Sequence, residues 1–150
     1  MRDTFYNDYK KGTSIEPYVV QYLNDNFYSK DKFEQSKEQK SEYDFYNSRT
    51  LGELKSRNNK YKSYGTTFFG YNKLKYFLSQ DKFKRFKIYF LFTDGLYYWK
   101  YKEGEYSIRP YHNNSRQKIE EYVYVPIKHL KCLSSKITTN NIKQMVKLIE

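Results

Sequence analysis

The sequence contains no alanine, a single cysteine (Cys132) and only two histidines, His112 and His129. A lone cysteine excludes an intramolecular disulfide and a cysteine-rich zinc site, and it agrees with a reducing compartment. Cys132 stands in the apolar-flanked run "HLKCL" and reads as a small buried hydrophobe. The histidines fall in different predicted elements with no carboxylate at ligand spacing, so a histidine-based nuclease or zinc centre is not expected. No apolar run reaches the roughly 18 residues of a membrane span. The opening "MRDTFYNDYKK" lacks the apolar core of a secretory signal. The stretch "GTTFFG" lacks the lysine of a phosphate-binding loop, so ATP use is not indicated.

What the chain has in excess is positive charge and aromatic rings. Lys and Arg number 28 against 17 Asp and Glu, a net charge of +11. Such a field favours a polyanionic partner. Nucleic acid fits better than a membrane, because no basic amphipathic helix stands out. The plainer reading is codon usage: Lys, Asn, Tyr, Ile and Phe are what an AT-rich genome supplies. Aromatics are 21% of the residues, with 19 Tyr and 11 Phe. They are expected to replace missing aliphatics in the core and on half-buried strands rather than to form a base-binding platform. A length of 150 residues predicts one domain, residues 1–150, with a core large enough to need no staples.

Periodicity then places the elements. "GTSIEPYVVQYLNDNF" predicts a helix, with Thr13 and Glu16 at capping-box spacing and Ile15, Val19, Tyr22 and Leu23 on one face. Pro17 lies in its first turn or so, and Asn24-Asp25-Asn26 ends it. Lys30 to Lys40 is either a polar strand or a loop. "EYDFYNS" and "TLGELKSR" predict a hairpin, and "NNKYKSYG" a loop. "TTFFGYNKLKYFLSQDK" predicts a second helix capped by Thr66 or Thr67, with Phe69, Leu74, Phe77 and Leu78 as its stripe and Gly70 as an irregularity. "FKIYFLFTDGLYYWKYK" predicts a hairpin turning at Asp94-Gly95. "EYSIRPYH" and "EEYVYVPI" are expected to extend that sheet. "TTNNIKQMVKLIE" predicts a closing helix with Ile142, Met145, Val146 and Ile149 on one face. The whole reads as α/β: a mixed sheet with helices packed on it.

Within "YDFYNSRTLGELKSR" three charged residues stand apart from the background. In a strand, residues two apart share a face, so Leu51, Glu53 and Lys55 point one way while Gly52, Leu54 and Ser56 point the other. Asp44, on the adjoining strand, is placed to approach Glu53. Two converging carboxylates make an oxygen site for Mg²⁺ or Mn²⁺, with the Leu54 carbonyl as a third donor. A metal so held activates water against a phosphodiester, and Lys55 holds water or phosphate as a point charge. The same alternation of Glu and Lys also describes a solvated strand face with a surface ion pair. Arg49, Arg57, Lys60 and Lys62, with Asn58 and Asn59, form a basic stretch beside the triplet, suited to phosphate contacts or simply solvated. Lys73 is a further candidate for a phosphate contact.

This arrangement resembles the PD-(D/E)XK nuclease superfamily, the restriction-endonuclease-like fold. That family's pattern is an initial helix often bearing a Glu, then strands carrying D…(D/E)-x-K, a helix and a further strand. "IEPYVVQYL" is similar to the first helix, "YDF" and "GELK" to the two strand segments, "YGTTFFGYNKLKYF" to the next helix and "KIYFLF" to the next strand. The resemblance covers roughly residues 12–93. Tyr43 stands where the pattern's name has proline, and no glutamine follows Lys55 at a spacing the pattern would assign. The resemblance implies a restriction-endonuclease-like central sheet with extra C-terminal strands. It implies Asp44 and Glu53 as metal ligands, Lys55 as the catalytic lysine and Glu16 as an outer carboxylate. The expected function is metal-dependent hydrolysis of DNA; the alternative is an inactive nuclease-fold protein that binds nucleic acid, as a packaging or virion component. The resemblance has the flavour of small nuclease-like proteins of large DNA viruses and phages. That implies an intracellular place, in the cytoplasm or nucleus of a host cell, or in a virion. A monomer would nick one strand at a time, and paired cuts would require a homodimer.

Overall fold

The strand "RFKIYFLF" organises the architecture. In a computed structural model, which describes residues 15–36, 43–113 and 118–149, it is buried over nearly its whole length. An unbroken apolar strand of this kind belongs at a sheet's centre with both faces covered. Helix α1 occupies residues 15–26. It is followed by the short strands β1 (Glu34–Gln35) and β2 (Phe45–Tyr46) and the longer β3 (Thr50–Ser56). Next come β4 (Thr66–Gly70), helix α2 (Tyr71–Leu78), β5 (Arg85–Phe92) and β6 (Gly95–Lys100). The chain closes with β7 (Ser107–Asn113), β8 (Lys118–Pro126), β9 (Lys131–Ser134) and helix α3 (Thr139–Ile149). A six-stranded sheet has the order β1-β2-β3-β5-β6-β9, and a second, three-stranded sheet the order β4-β8-β7. The larger sheet is mixed: β3 and β5 run parallel, the other neighbours antiparallel.

Two apolar clusters cover the two faces of the larger sheet. On one face Ile15, Val19, Val20 and Leu23 of α1 and Ile142 of α3 pack on Phe45, Tyr89, Leu91 and Leu96. On the other, Leu51, Phe86, Ile88, Phe90 and Trp99 meet Leu74 and Phe77 of α2 and Phe69, Val123 and Val125 of the smaller sheet. Rings do the work of the missing aliphatics, as in the Phe77–Phe86 stack at 5.5 Å and the Phe33–Phe45 edge contact at 4.9 Å.

Several local expectations are corrected. "TTFFG" is a strand, not the start of α2: its side chains alternate between exposed and buried, it pairs with Tyr122–Pro126, and Gly70 is the N-cap of α2. β-branched and aromatic residues in alternation favour the pleated surface over a first helical turn. Phe69 is thus a strand core residue, and Leu78 is exposed. The strands at Ser107–Asn113 and Lys118–Pro126 do not extend the larger sheet; they recruit β4 instead, and β9 takes the free edge of β6. The β5–β6 register pairs Phe92 with Gly95, so the turn is Thr93-Asp94, one residue earlier than expected. Gly95 is needed for space: a Cβ there would stand 3.0 Å from the Ser134 carbonyl oxygen. Cys132 is exposed, because it lies on the edge strand β9. On α3 Ile142 is buried but Met145 is exposed. Asn24 does not simply end α1. It is buried, its Nδ2 donates to the Phe33 carbonyl at 3.1 Å and its Oδ1 accepts from the Phe33 N–H at 2.7 Å, which ties the chain after α1 back onto it. Thr13 and residues 37–40 lie outside the described residues.

The β2–β3 hairpin that carries the charged triplet closes on Gly52, which pairs with Phe45. A Cβ at Gly52 would fall inside the Phe45 ring, which is itself fully buried. Gly52→Ala should therefore destabilise the fold by about 1–3 kcal/mol, the range for overpacking a tight core. A thermal melt should register this as a drop of roughly 3–10 °C; an unchanged melting temperature would contradict the packing described.

Candidate active site

Strand β3 carries Leu51 into one apolar cluster and packs Leu54 against the other, so its alternation places Glu53 on the face covered by α2. Glu53 is 1% exposed. Continuing the β2–β3 register one step beyond the Phe45–Gly52 pair sets Asp44 opposite Glu53. Two bonds hold Asp44 there: its N–H donates to the Gly52 carbonyl at 3.0 Å, and its Oδ2 accepts from the Leu54 N–H at 2.8 Å. Lys55 lies on the same face, with Nζ 3.9 Å from Glu53 Oε2. From α2, Lys73 brings its Nζ to 3.2 Å from Glu53 Oε1. That contact is an ion pair at the edge of hydrogen-bond geometry, and Oε1, fully buried, has no other polar partner among the described residues.

A third carboxyl group completes the cluster. Glu16, on α1, faces Asp44, and its Oε2 accepts from Gln35 Nε2 at 2.8 Å. Asp44 thus stands between two other acids, and both respond. Burial first, then the charge of Asp44, pushes Glu53 up from its ordinary 4.5 to about 8, although Lys55 and Lys73 pull the other way. Glu16 is pushed up to about 7, again by burial first and Asp44 second, with the Gln35 hydrogen bond opposing. Oxygen donors held together at such a cost suit a hard divalent cation. Among the described residues no group of three or more His, Cys, Asp or Glu side chains forms a ready metal cage. The cluster sets Asp44 opposite Glu53, with Glu16 on the other side of Asp44, and a Mg²⁺-type ion uses one or two protein carboxylates and leaves its other positions to water and phosphate.

No protein-family model, curated protein or solved structure matches this chain.

A cleft of about 560 Å³ opens beside the cluster. Lys55, Lys73 and Lys75 line it from one side, and Glu120, Glu121 and Tyr122 of β8 from the other. The other basic residues singled out from the sequence are dispersed. Arg49 is exposed in the turn before β3, about 13 Å along the strand from Glu53 at ordinary strand rise. Lys60 and Lys62 are exposed in the loop beyond the opposite end of β3. That loop is pinned where the Tyr61 N–H donates to Asp94 Oδ1 at 2.9 Å and the Tyr61 ring stacks on Tyr97 at 4.0 Å. Arg57 is not a solvated loop residue. Its guanidinium lies over Phe68 at 4.9 Å and Phe90 at 5.7 Å and donates to the Phe68 carbonyl, and burial lowers its pKa. His129 lies away from the cluster, with Nδ1 3.3 Å from Glu105 Oε2.

Sequence reasoning gave no role to Gln35, Lys75 or Tyr122. Gln35 left no signal, since it sits in a two-residue strand within a charged run. Lys75 follows Lys73 on α2, but only the placement of α2 over β3 shows where either reaches.

The raised Glu53 pKa has a definite sign. Below the unfolded value near 4.5 the carboxyl is protonated in both states; between 4.5 and about 8 only the folded state keeps the proton, so rising pH favours unfolding. Glu16, pushed to about 7, adds to the loss over the lower part of that window. In EDTA the wild type should therefore lose more stability than Glu53→Gln between about pH 5 and about pH 8, with a difference of roughly 5 °C or more in melting temperature. Parallel melting profiles for the two proteins would contradict the burial of an ionisable group here.

Proposed function

We propose that the chain is a metal-dependent nuclease that hydrolyses DNA phosphodiester bonds. The observation that carries this reading is the buried Glu53 carboxyl group, faced by Asp44 across the hairpin and by Lys55 and Lys73, two residues that also line the neighbouring cleft. The element order supports it too. A helix bearing Glu16, an antiparallel strand pair with D…E-x-K, then α2 and a strand parallel to β3 follow the pattern that the PD-(D/E)XK resemblance implies.

In this reading Asp44 and Glu53 would hold Mg²⁺ or Mn²⁺, with the Leu54 carbonyl and Glu16 as further oxygen donors. The bound ion supplies Lewis acidity toward the phosphate and a lowered pKa for water. The chain's own residues do the rest. Asp44 is oriented by the Leu54 N–H, which leaves its Oδ1 to the site. Lys55, half exposed at the cleft, directs its ammonium at a phosphate oxygen or a water. Lys73 offsets the charge of Glu53 and keeps the carboxylate from turning away. Gln35 holds Glu16 toward Asp44. Among the described residues no helix is long and apolar enough to cross a membrane.

A second reading is a nuclease-fold protein that binds nucleic acid without cutting, as a packaging or virion component would. It draws support from Lys73, whose ammonium already stands against Glu53 Oε1, where a cation would compete with it. A supercoiled-plasmid assay separates the two. Nicking in Mg²⁺ or Mn²⁺ that stops in EDTA and falls at least about a hundredfold in both Glu53→Ala and Lys55→Ala is the expected result, since loss of one preorganised charge in such a site costs that much. Tight, salt-sensitive binding with no nicking under either metal would leave only the second reading.

A further inference from the structure

The smaller sheet has two unlike faces. Its inner face gives Phe69, Val123 and Val125 to the core. The register assigns the opposite face to Phe68 of β4, Glu120, Tyr122 and Tyr124 of β8, and Arg109 and Tyr111 of β7, since Phe68 pairs with Tyr124, Arg109 with Tyr122 and Tyr111 with Glu120. These rings touch in a continuous row. Phe68 lies 5.5 Å from Tyr122 and 5.7 Å from Tyr124, and Tyr111 meets Tyr122 at 5.6 Å. Two guanidinium groups lie on the row: Arg109 stacks over Tyr124 at one end, at 4.1 Å, and Arg57 lies over Phe68 within the row, at 4.9 Å. Phe68 is 43% exposed and Tyr111 52% exposed, so the surface is open.

We propose that this face binds unpaired bases of single-stranded DNA and leads the strand into the cleft of the carboxylate cluster. Flat rings and guanidinium planes on an exposed sheet are what bases stack on, whatever their sequence. Continuity decides the direction: Tyr122 belongs to the aromatic row and also lines the cleft that Lys55 and Lys73 share. Charge decides the form of the strand. Lys55 and Lys75 offer phosphate contacts on one wall only, with Lys73 held on Glu53 between them, and Glu121 and Glu120, which accepts from the Tyr122 hydroxyl at 2.8 Å, stand on the other. A single strand can lay its phosphates along the lysines and its bases on the rings. A duplex hides its base faces and would bring its second phosphate chain toward the acids. Binding at this face stands apart from whether the cluster cuts; only the inference that the substrate is a single strand, flap or overhang rests on the proposed nuclease reading.

The test is fluorescence anisotropy in EDTA, with a labelled oligothymidylate and a duplex of the same length titrated by wild type, Tyr111→Ala and Phe68→Leu. Phe68→Leu keeps an apolar side chain for Arg57 to cover and removes the flat ring. The wild type should prefer the single strand. Each variant should weaken that binding by about five- to a hundredfold, the range for loss of one stacked ring, with duplex affinity within about twofold and an unchanged melting temperature. Equal wild-type affinity for the two DNAs, or full single-strand affinity in both variants, would overturn the proposal. So would a wild-type dimer in sedimentation that Phe68→Leu splits, because the face would then be covered by a second copy. Absence of metal-dependent nicking with the oligothymidylate preference intact would count against the nuclease reading alone.

Discussion

Two parallel neighbouring strands cannot be joined by a tight turn; the chain has to cross back over one face of the sheet between them. In this protein that constraint falls on β3 and β5, whose register runs from Thr50–Arg85 to Ser56–Leu91. The crossover holds β4 and α2, and most of what distinguishes the molecule follows from it. Because α2 must lie over the β3 face, Lys73 arrives at Glu53. Because β4 precedes α2 in the same crossover, an exposed strand edge is left above the sheet, and β8 pairs with it. The second sheet, the cleft between β8 and α2, and the counterion of the buried carboxylate are three results of one parallel pair.

The carboxylate in turn limits what the site can be. An unpaired buried charge costs far more than a domain's net stability, so Glu53 must carry a proton or face cations. Two lysines face it, yet burial and Asp44 still outweigh them and hold the proton on up to about 8. Asp44 adds a repelling charge opposite, and it is itself fixed by two backbone contacts, with Glu16 on its far side. Acids gathered against their mutual repulsion are not what a solvated strand face looks like, and perturbed groups of this kind are what the proposed cation-binding role would use.

The hairpin and its pairing were legible in the sequence because period-two alternation fixes which residues share a face, and the D-to-E spacing then sets Asp44 against Glu53. The central strand was legible as an apolar run flanked by turn residues. The rest depended on the crossover. "TTFFG" adjoins a helix-forming run and was read as part of it, since nothing local announces a partner strand some fifty residues later in β8. The same missing partner sent β7 and β8 to the wrong sheet. Arg57 read as a solvated basic residue because its covers, Phe68 and Phe90, come from β4 and β5. Lys73 is a candidate phosphate contact by sequence, but its position on Glu53 is a property of the packed helix.

A chain without alanine and heavy in tyrosine and phenylalanine must use rings wherever a core needs filling, so an aromatic residue carries little information by itself here. Placement does. The inner rings interdigitate with aliphatic neighbours at negligible exposure, as Phe69, Phe86 and Phe90 do. The outer row on β4, β8 and β7 has no such cover, and arginines lie over two of its rings, Phe68 and Tyr124. Codon bias accounts for how many rings there are. It gives no reason for them to gather on one exposed sheet face, in register, beside the cleft that Lys55 and Lys73 line. A skewed composition raises the background against which any functional surface is judged, and geometry has to supply the contrast: which face, next to which groove, with which charges at the rim.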